Sequence, residues 1–108
     1  MRPFDPAGLQ DLIHGRARLA VLALLTTVDE IEFVALRDEI NISDGNLSQH
    51  LKKLDEAGYV ALTRVHSCGR GRTEIALTAV GREAFYAYLD NLKLLLNAVS
   101  KKRSLPKG

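Results

Sequence analysis

The sequence predicts a mainly helical α+β domain: two short helices joined by a tight turn, a β-hairpin of two to three strands, and a long closing helix. Three observations carry this. Phe33, Leu36 and Ile40 recur at i, i+3 and i+7, and after a short break Leu47, Leu51 and Leu54 recur at i, i+4 and i+7. These are two amphipathic helices lying end to end. Tyr59–Val65 and Thr73–Leu77 then read as strands around a glycine-containing tip. From Ala79 to Val99 apolar residues return every three to four positions, a helix of about 30 Å at 1.5 Å per residue.

The elements follow in order. Asp5-Pro6 reads as an N-cap with proline at the first helical position. Leu9, Leu12 and Ile13 would face inward, and Gly15 separates them from the apolar run Leu19–Leu25. The outcome is either two short helices or one kinked helix. Asp29–Glu32 is a linker with room for a short third strand. The paired helices span about 33–57. Asn41-Ile42 breaks them, Ser43 is a good N-cap for the second, and Asp44 suits the positive end of its dipole. So short a connection makes a helix-turn-helix. Ala57-Gly58 ends the second helix, with Gly58 fitted to a left-handed cap. In the hairpin, about 59–77, Thr73, Ile75 and Leu77 alternate to one face, and the tip His66-Ser67-Cys68-Gly69-Arg70-Gly71-Arg72 is basic and expected to be mobile. A helix-turn-helix followed by a basic hairpin is a winged helix-turn-helix. Thr78 is the expected N-cap of the last helix, 79–99. Residues 1–99 are expected to form one domain, and the basic tail 100–108 is expected to be disordered.

Composition narrows the class. The chain has 108 residues, 46% hydrophobic and 26% charged, as expected of one globular domain with a modest core. Leu19–Leu25 is the most apolar stretch and is too short to cross a membrane. One cysteine excludes an internal disulfide framework, and a cytoplasmic location is the default expectation. The net charge of +2 is modest but unevenly spread. Residues 1–40 hold four basic and seven acidic side chains, whereas residues 41–73 are net +2 and the remainder is net +3.

The second helix of the pair carries the clearest functional pattern. Opposite its leucine stripe, at about 100° per residue, lie Gly45, Gln49, Lys52 and Glu56, with Asn46 and Ser48 flanking. Amide, hydroxyl and ammonium groups bond base edges and phosphates, and glycine lets a backbone approach closely. Gln49 and Asn46 are the candidates for base readout, because amides pair bidentately with adenine. Lys52, Lys53, Arg70 and Arg72 are assigned to phosphate. The partner expected is double-stranded DNA.

The last helix carries a second pattern. Phe85, Tyr88, Leu92, Leu95 and Val99 alternate at three and four, and Leu89 and Leu96 widen the stripe. A 3.5-residue period is a coiled-coil seam. A domain this small cannot cover so long a helix, so these seven residues are assigned to a homodimer interface.

Other chemistry finds little support. His66 and Cys68 are two metal-ligating types two residues apart, short of the about four ligands zinc needs. No cofactor is expected. Arginines neighbour Cys68 in the sequence, which makes it a candidate redox sensor. His50 sits beside the leucine stripe as a packing residue. No nucleophile elbow, phosphate-binding glycine loop or apolar carboxylate pair is present, so the chain is not read as an enzyme.

Two segments resemble a known family. Ile42–Val60 looks like the recognition segment of small stand-alone winged-helix regulators of the MarR/ArsR type in bacteria and archaea. Arg70–Arg82, a wing strand running into Leu77-Thr78-x-x-Gly81, looks like their wing and closing helix. The resemblance spans about Leu9 to Leu96. It implies base and phosphate contacts from Ser43, Asn46, Ser48, Gln49, Lys52 and Lys53. It implies backbone or minor-groove contacts from Arg64, Arg70 and Arg72, with His66 beside them on the wing. It also implies dimerisation through the N- and C-terminal helices. The paired-cysteine motif of metal-sensing ArsR proteins is missing. A small-molecule effector between helices at the dimer interface is compatible with the resemblance, although no polar cluster marks its pocket. The alternative role for the same fold is a protein–protein interaction module in a transcription or chromatin assembly.

Overall fold

The computed structural model describes residues 15–103. The expectations for Asp5, Pro6, Leu9, Leu12 and Ile13, and for the tail beyond Arg103, lie outside the described residues. In chain order the elements are α1 (Arg16–Leu25), β1 (Ile31–Glu32), α2 (Phe33–Ile40), α3 (Asp44–Glu56), β2 (Val60–Ser67), β3 (Arg70–Leu77) and α4 (Ala79–Arg103). The three strands form one antiparallel sheet in the order β1-β3-β2. The acidic linker does supply the third strand, with Ile31 opposite Ile75 and Glu32 opposite Glu74.

The core follows from the predicted periodicities. Val21, Leu22 and Leu25 from α1, Leu36 from α2, and Leu47, Leu51 and Leu54 from α3 close on Val60, Ile75, Phe85 and Tyr88. Burying each such side chain contributes about 1.5–3 kcal/mol. The wing is attached to the same core through Val60 and Ile75.

The joints have explicit causes. Asn41 ends α2 in the left-handed region, φ 62°, its N–H bonded to the Arg37 carbonyl at 2.8 Å. Asparagine tolerates that conformation better than most side chains. Ser43 Oγ accepts from the Asn46 N–H at 3.2 Å, the expected cap. Arg37 spans the turn, pairing with Asp38 at 2.9 Å and with Asp44 at 2.8 Å. At the other end of α3 the Tyr59 N–H reaches the Leu54 carbonyl and the Gly58 N–H the Asp55 carbonyl, both at 2.9 Å, a Schellman cap with Gly58 at φ 79°.

Thr78 joins this exit to the start of α4. Its N–H donates to the Tyr59 carbonyl at 3.0 Å, and its hydroxyl donates to the Gly58 carbonyl at 2.6 Å. The same hydroxyl caps α4 by accepting from the Gly81 N–H at 2.9 Å. Gly81 permits this closeness: a Cβ built there would overlap the Tyr59 carbonyl oxygen and stand 2.8 Å from its carbon.

Three expectations change. The closing helix does not stop at Val99 but runs on through Arg103, 25 residues in all. Ser100-Lys101-Lys102-Arg103 contains no helix breaker, and cations suit a helix C-terminus. The wing is not a loose loop over 66–72. Its ladder is paired out to Ser67 opposite Arg70, leaving a two-residue tip, Cys68-Gly69, with φ 52° and 77°. That is the positive-φ requirement of a type I′ hairpin turn. Phe85 and Tyr88, assigned to a partner, are 4% and 2% exposed within this one chain. They lie in the first half of α4, where the helix still crosses the domain's own core.

Candidate nucleic-acid interface

Helix α3 presents its polar side as predicted. Leu47, Leu51 and Leu54 are buried, while Ser43, Gly45, Asn46, Ser48, Gln49, Lys52 and Lys53 are all exposed. Nothing lies within 4 Å of where a Gly45 Cβ would be, so the start of this face is open backbone. Ser43 is the exception in role, since its hydroxyl is engaged in capping α3. The two flanks of the helix differ. Ser48 and Lys52 face the sheet across a cleft of about 260 Å³ lined with Phe33, Leu62 and Thr73. His50, Asn46 and Lys53 fall on the other flank.

Strand register sorts the wing residues. Arg64 and His66 share a face with Leu62, Thr73 and Ile75, the face turned towards α3. Their side chains lie over Gly71: a Cβ there would come within 3.1 Å of both Arg64 Nη2 and His66 Cε1. Arg64 also donates to Thr73 Oγ1 at 3.1 Å, which braces it over the strand. Arg70 and Arg72 alternate to the opposite face with Glu74, and Arg72 Nε reaches Glu74 Oε2 at 3.4 Å. The sequence assigned Arg70 and Arg72 to phosphate, and the resemblance placed Arg64 with them on the wing. The register puts Arg64 and His66 on the face turned towards α3 and Arg70 and Arg72 on the other.

One other feature was not legible: Arg37 is committed to Asp38 and Asp44, whose hydrogen bonds raise its already high pKa, so it braces the turn. Cys68 is exposed and free at the hairpin tip, where the sequence placed it. Among the described residues no three His, Cys, Asp or Glu side chains gather as a metal site would require, and no helix is long and apolar enough to cross a membrane.

The α4 stripe divides in two. Its first part is closed by Phe85 and Tyr88 in the core. Its continuation is open: Leu89, Leu92 and Leu95 are half-buried, and Leu96 and Val99 are 59% and 50% exposed.

A helix pair with a tight turn beside a paired β-wing is a winged-helix architecture, and the comparisons agree on it. The profile of the winged helix DNA-binding domain matches residues 17–96. The chain belongs to this family. It is 43% identical over 78 residues to the uncharacterized protein MJ0432 of Methanocaldococcus jannaschii, covering 72% of this chain and 85% of the relative. The structure is similar to that of a transcriptional regulator homologue from Pyrococcus horikoshii, with TM-score 0.81 at 22% identity, over 86% of this chain and 93% of the other. A PadR family transcriptional regulator from Eggerthella lenta has TM-score 0.68 at 16% identity, over 84% and 87% of the two chains. NadR in complex with 4-hydroxyphenylacetate has TM-score 0.65 at 19% identity, over 91% and 69%. The winged-helix family expected from the sequence is therefore the right one. These neighbours share its fold; one is a PadR protein, and the MarR/ArsR subfamily is not specified among them.

Proposed function

We propose that this chain is a sequence-specific transcriptional regulator that binds double-stranded DNA as a homodimer. Helix α3 enters a major groove with Gln49 and Asn46 towards base edges. Ser48 and Lys52 lie on the side of the wing, and Arg64, His66 and Arg70 engage the neighbouring backbone or minor groove. The observation that carries this reading is the exposed Gly45-Asn46-Ser48-Gln49-Lys52-Lys53 face on a helix whose leucine stripe is buried. A solvated surface helix has no need of open glycine backbone among paired amides, whereas a helix in a groove about 12 Å wide does.

The open part of the α4 stripe supports the dimer. Leu92, Leu95, Leu96 and Val99 continue the same face that Phe85 and Tyr88 bury, and the described residues leave Leu96 and Val99 at least half exposed. A two-fold pairing along α4 would present two copies of α3, reading a pseudo-palindromic site with half-sites about 34–36 Å apart or a multiple of that. An apolar cleft of about 650 Å³ between α1 and α2, lined with Ala17, Ala20, Leu24, Ile40 and Ile42, is where a small-molecule effector would be sought.

Selection of bound sequences from a random duplex library tests the reading. Recovery of a two-fold-related motif supports it. Binding without any enriched motif removes sequence-specific recognition, and a single non-repeated motif removes the dimeric arrangement.

A further inference from the structure

Recognition helix, wing and closing helix meet at one joint. The Gly58-Tyr59 exit of α3 lies against Leu77-Thr78, although the whole wing separates them in sequence. The first rung of the wing ladder, Val60 opposite Leu77, stands directly on this joint. Thr78 holds both sides of it. Its N–H donates to the Tyr59 carbonyl at 3.0 Å and its hydroxyl to the Gly58 carbonyl at 2.6 Å. The Tyr59 and Gly58 N–H groups are themselves bonded to the Leu54 and Asp55 carbonyls of the last turn of α3. The Thr78 hydroxyl then accepts from the Gly81 N–H at 2.9 Å, in the first turn of α4. A continuous run of hydrogen bonds therefore links the end of α3 to the start of α4.

The Thr78 hydroxyl does two separate jobs. An N-cap needs only an acceptor for the first-turn N–H groups. The bond donated to Gly58 adds nothing to capping; it ties α4 to α3. The tie matters because the other anchors of α4 lie further along it. Phe85 and Tyr88 enter the core, and the helix packs on α1. Beyond them Leu96 and Val99 are 59% and 50% exposed. A rod held at one place pivots, and a rod held at two does not. At 1.5 Å per residue, Thr78 to Tyr88 is about 15 Å and Tyr88 to Leu96 about 12 Å. A slip of about 1 Å at the joint would swing Leu96 by about 0.8 Å the other way, on this lever of helical rise. In a two-fold pair, both subunits contribute that error to the placement of the two α3 helices.

We propose that Thr78 is a positioning residue for two-site DNA recognition: by tying the exit of the recognition helix to the start of the helix that pairs with a second copy, it sets where one α3 stands relative to the other. Gly81 serves the same joint by letting α4 approach Tyr59. The inference rests on the reading of this chain as a DNA-binding dimer paired along α4. Thr78 contacts no base in that reading, so preference within a half-site stays with the residues of α3, and only the placement of the second half-site depends on the joint.

The test compares affinities for two duplexes by fluorescence anisotropy at one salt concentration. One duplex carries the two-fold motif recovered by selection, and the other carries a single half-site. The ratio of the two affinities measures how well the second α3 is placed once the first is seated. Wild type, Thr78→Ser and Thr78→Asp are compared, with thermal melts of each. Serine keeps both bonds and is expected to keep the ratio. Aspartate still caps α4 but has no proton to donate to Gly58. It is expected to lower the ratio several-fold, with single half-site affinity unchanged and the protein still dimeric in sedimentation equilibrium. Thr78→Val, which has the same shape and neither side-chain bond, is read in its place if Thr78→Asp does not fold. A lowered Tm with an unchanged ratio makes Thr78 a cap only and overturns the proposal, while the dimer reading stands. An equal loss on both duplexes overturns it too, because the effect then lies within one subunit. If wild type gains nothing from the second half-site, the dimer reading fails, and the role of Thr78 with it.

Discussion

Replacing Gly81 by alanine sets two physical effects of opposite sign against each other. Gly81 lies in the first turn of α4, a 25-residue helix, and on helix propensity alone Gly→Ala should stabilise by up to about 1 kcal/mol. The packing says otherwise. The added Cβ would overlap the Tyr59 carbonyl oxygen and stand 2.8 Å from Tyr59 C and 2.9 Å from its Cα. All three are backbone atoms at the end of the Schellman cap, and none is the free end of a flexible side chain. Relieving the overlap means moving α4 away from Tyr59, at a cost of about 1–3 kcal/mol for overpacking. It also stretches the bonds from Thr78 to the Tyr59 and Gly58 carbonyls, 3.0 and 2.6 Å long, worth about 0.5–1.5 kcal/mol each. Net of propensity, the expected destabilisation is about 2–4 kcal/mol. In a domain of this size that lowers Tm by roughly 10–20 °C. Circular dichroism melts of wild type and Gly81→Ala, at one fixed protein concentration, measure it. An unchanged or raised Tm would show that the approach of α4 to Tyr59 is not tight, and would refute the account of Leu-Thr-x-x-Gly as a clip.

The other predictions use the same structure. Gly45→Ala meets nothing within 4 Å, so it should stabilise the fold by about 0.4–1 kcal/mol while weakening DNA binding, and melts and anisotropy on the same sample read both. Gln49→Ala should cost about 1–3 kcal/mol on the cognate site and relax specificity there, and an equal effect on random duplex removes Gln49 from base readout. Leu96→Glu, at a side chain 59% exposed, should leave the monomer core intact and dissociate the dimer in sedimentation equilibrium; a dimer that persists places the interface elsewhere. His50 titrates below its ordinary value of 6.5 through burial and the charges of Arg18 and Lys53. The unfolded chain therefore takes up this proton more readily, so the associated stability is present above the ordinary value and is lost as pH falls through the folded pKa. His50→Gln should flatten that part of the stability profile, and an unchanged acid-side slope counts against it.

Most of the fold was legible because each element has a local cause. The stripes of α2 and α3, the Ser43 cap, the Gly58 exit and the Thr78 cap each lie within a few residues of what they determine. The errors arose where tertiary geometry decides. Phe85 and Tyr88 share one stripe with Leu92 and Val99, and periodicity cannot say where along a helix the domain's own core ends. The hairpin tip looked mobile because of its two glycines, yet the ladder closes on Cys68-Gly69. That Arg64 lies on the strand face of Ile75, and Arg70 and Arg72 on the opposite one, depends on the strand register.

The most direct test of the central claim is the wild-type titration itself: anisotropy of a labelled random-sequence duplex against protein over a range of salt. The account predicts binding at about micromolar affinity at low salt, with a steep negative dependence of log affinity on log salt. No binding at low salt, or binding indifferent to salt, would contradict it and turn the exposed face of α3 towards a protein partner.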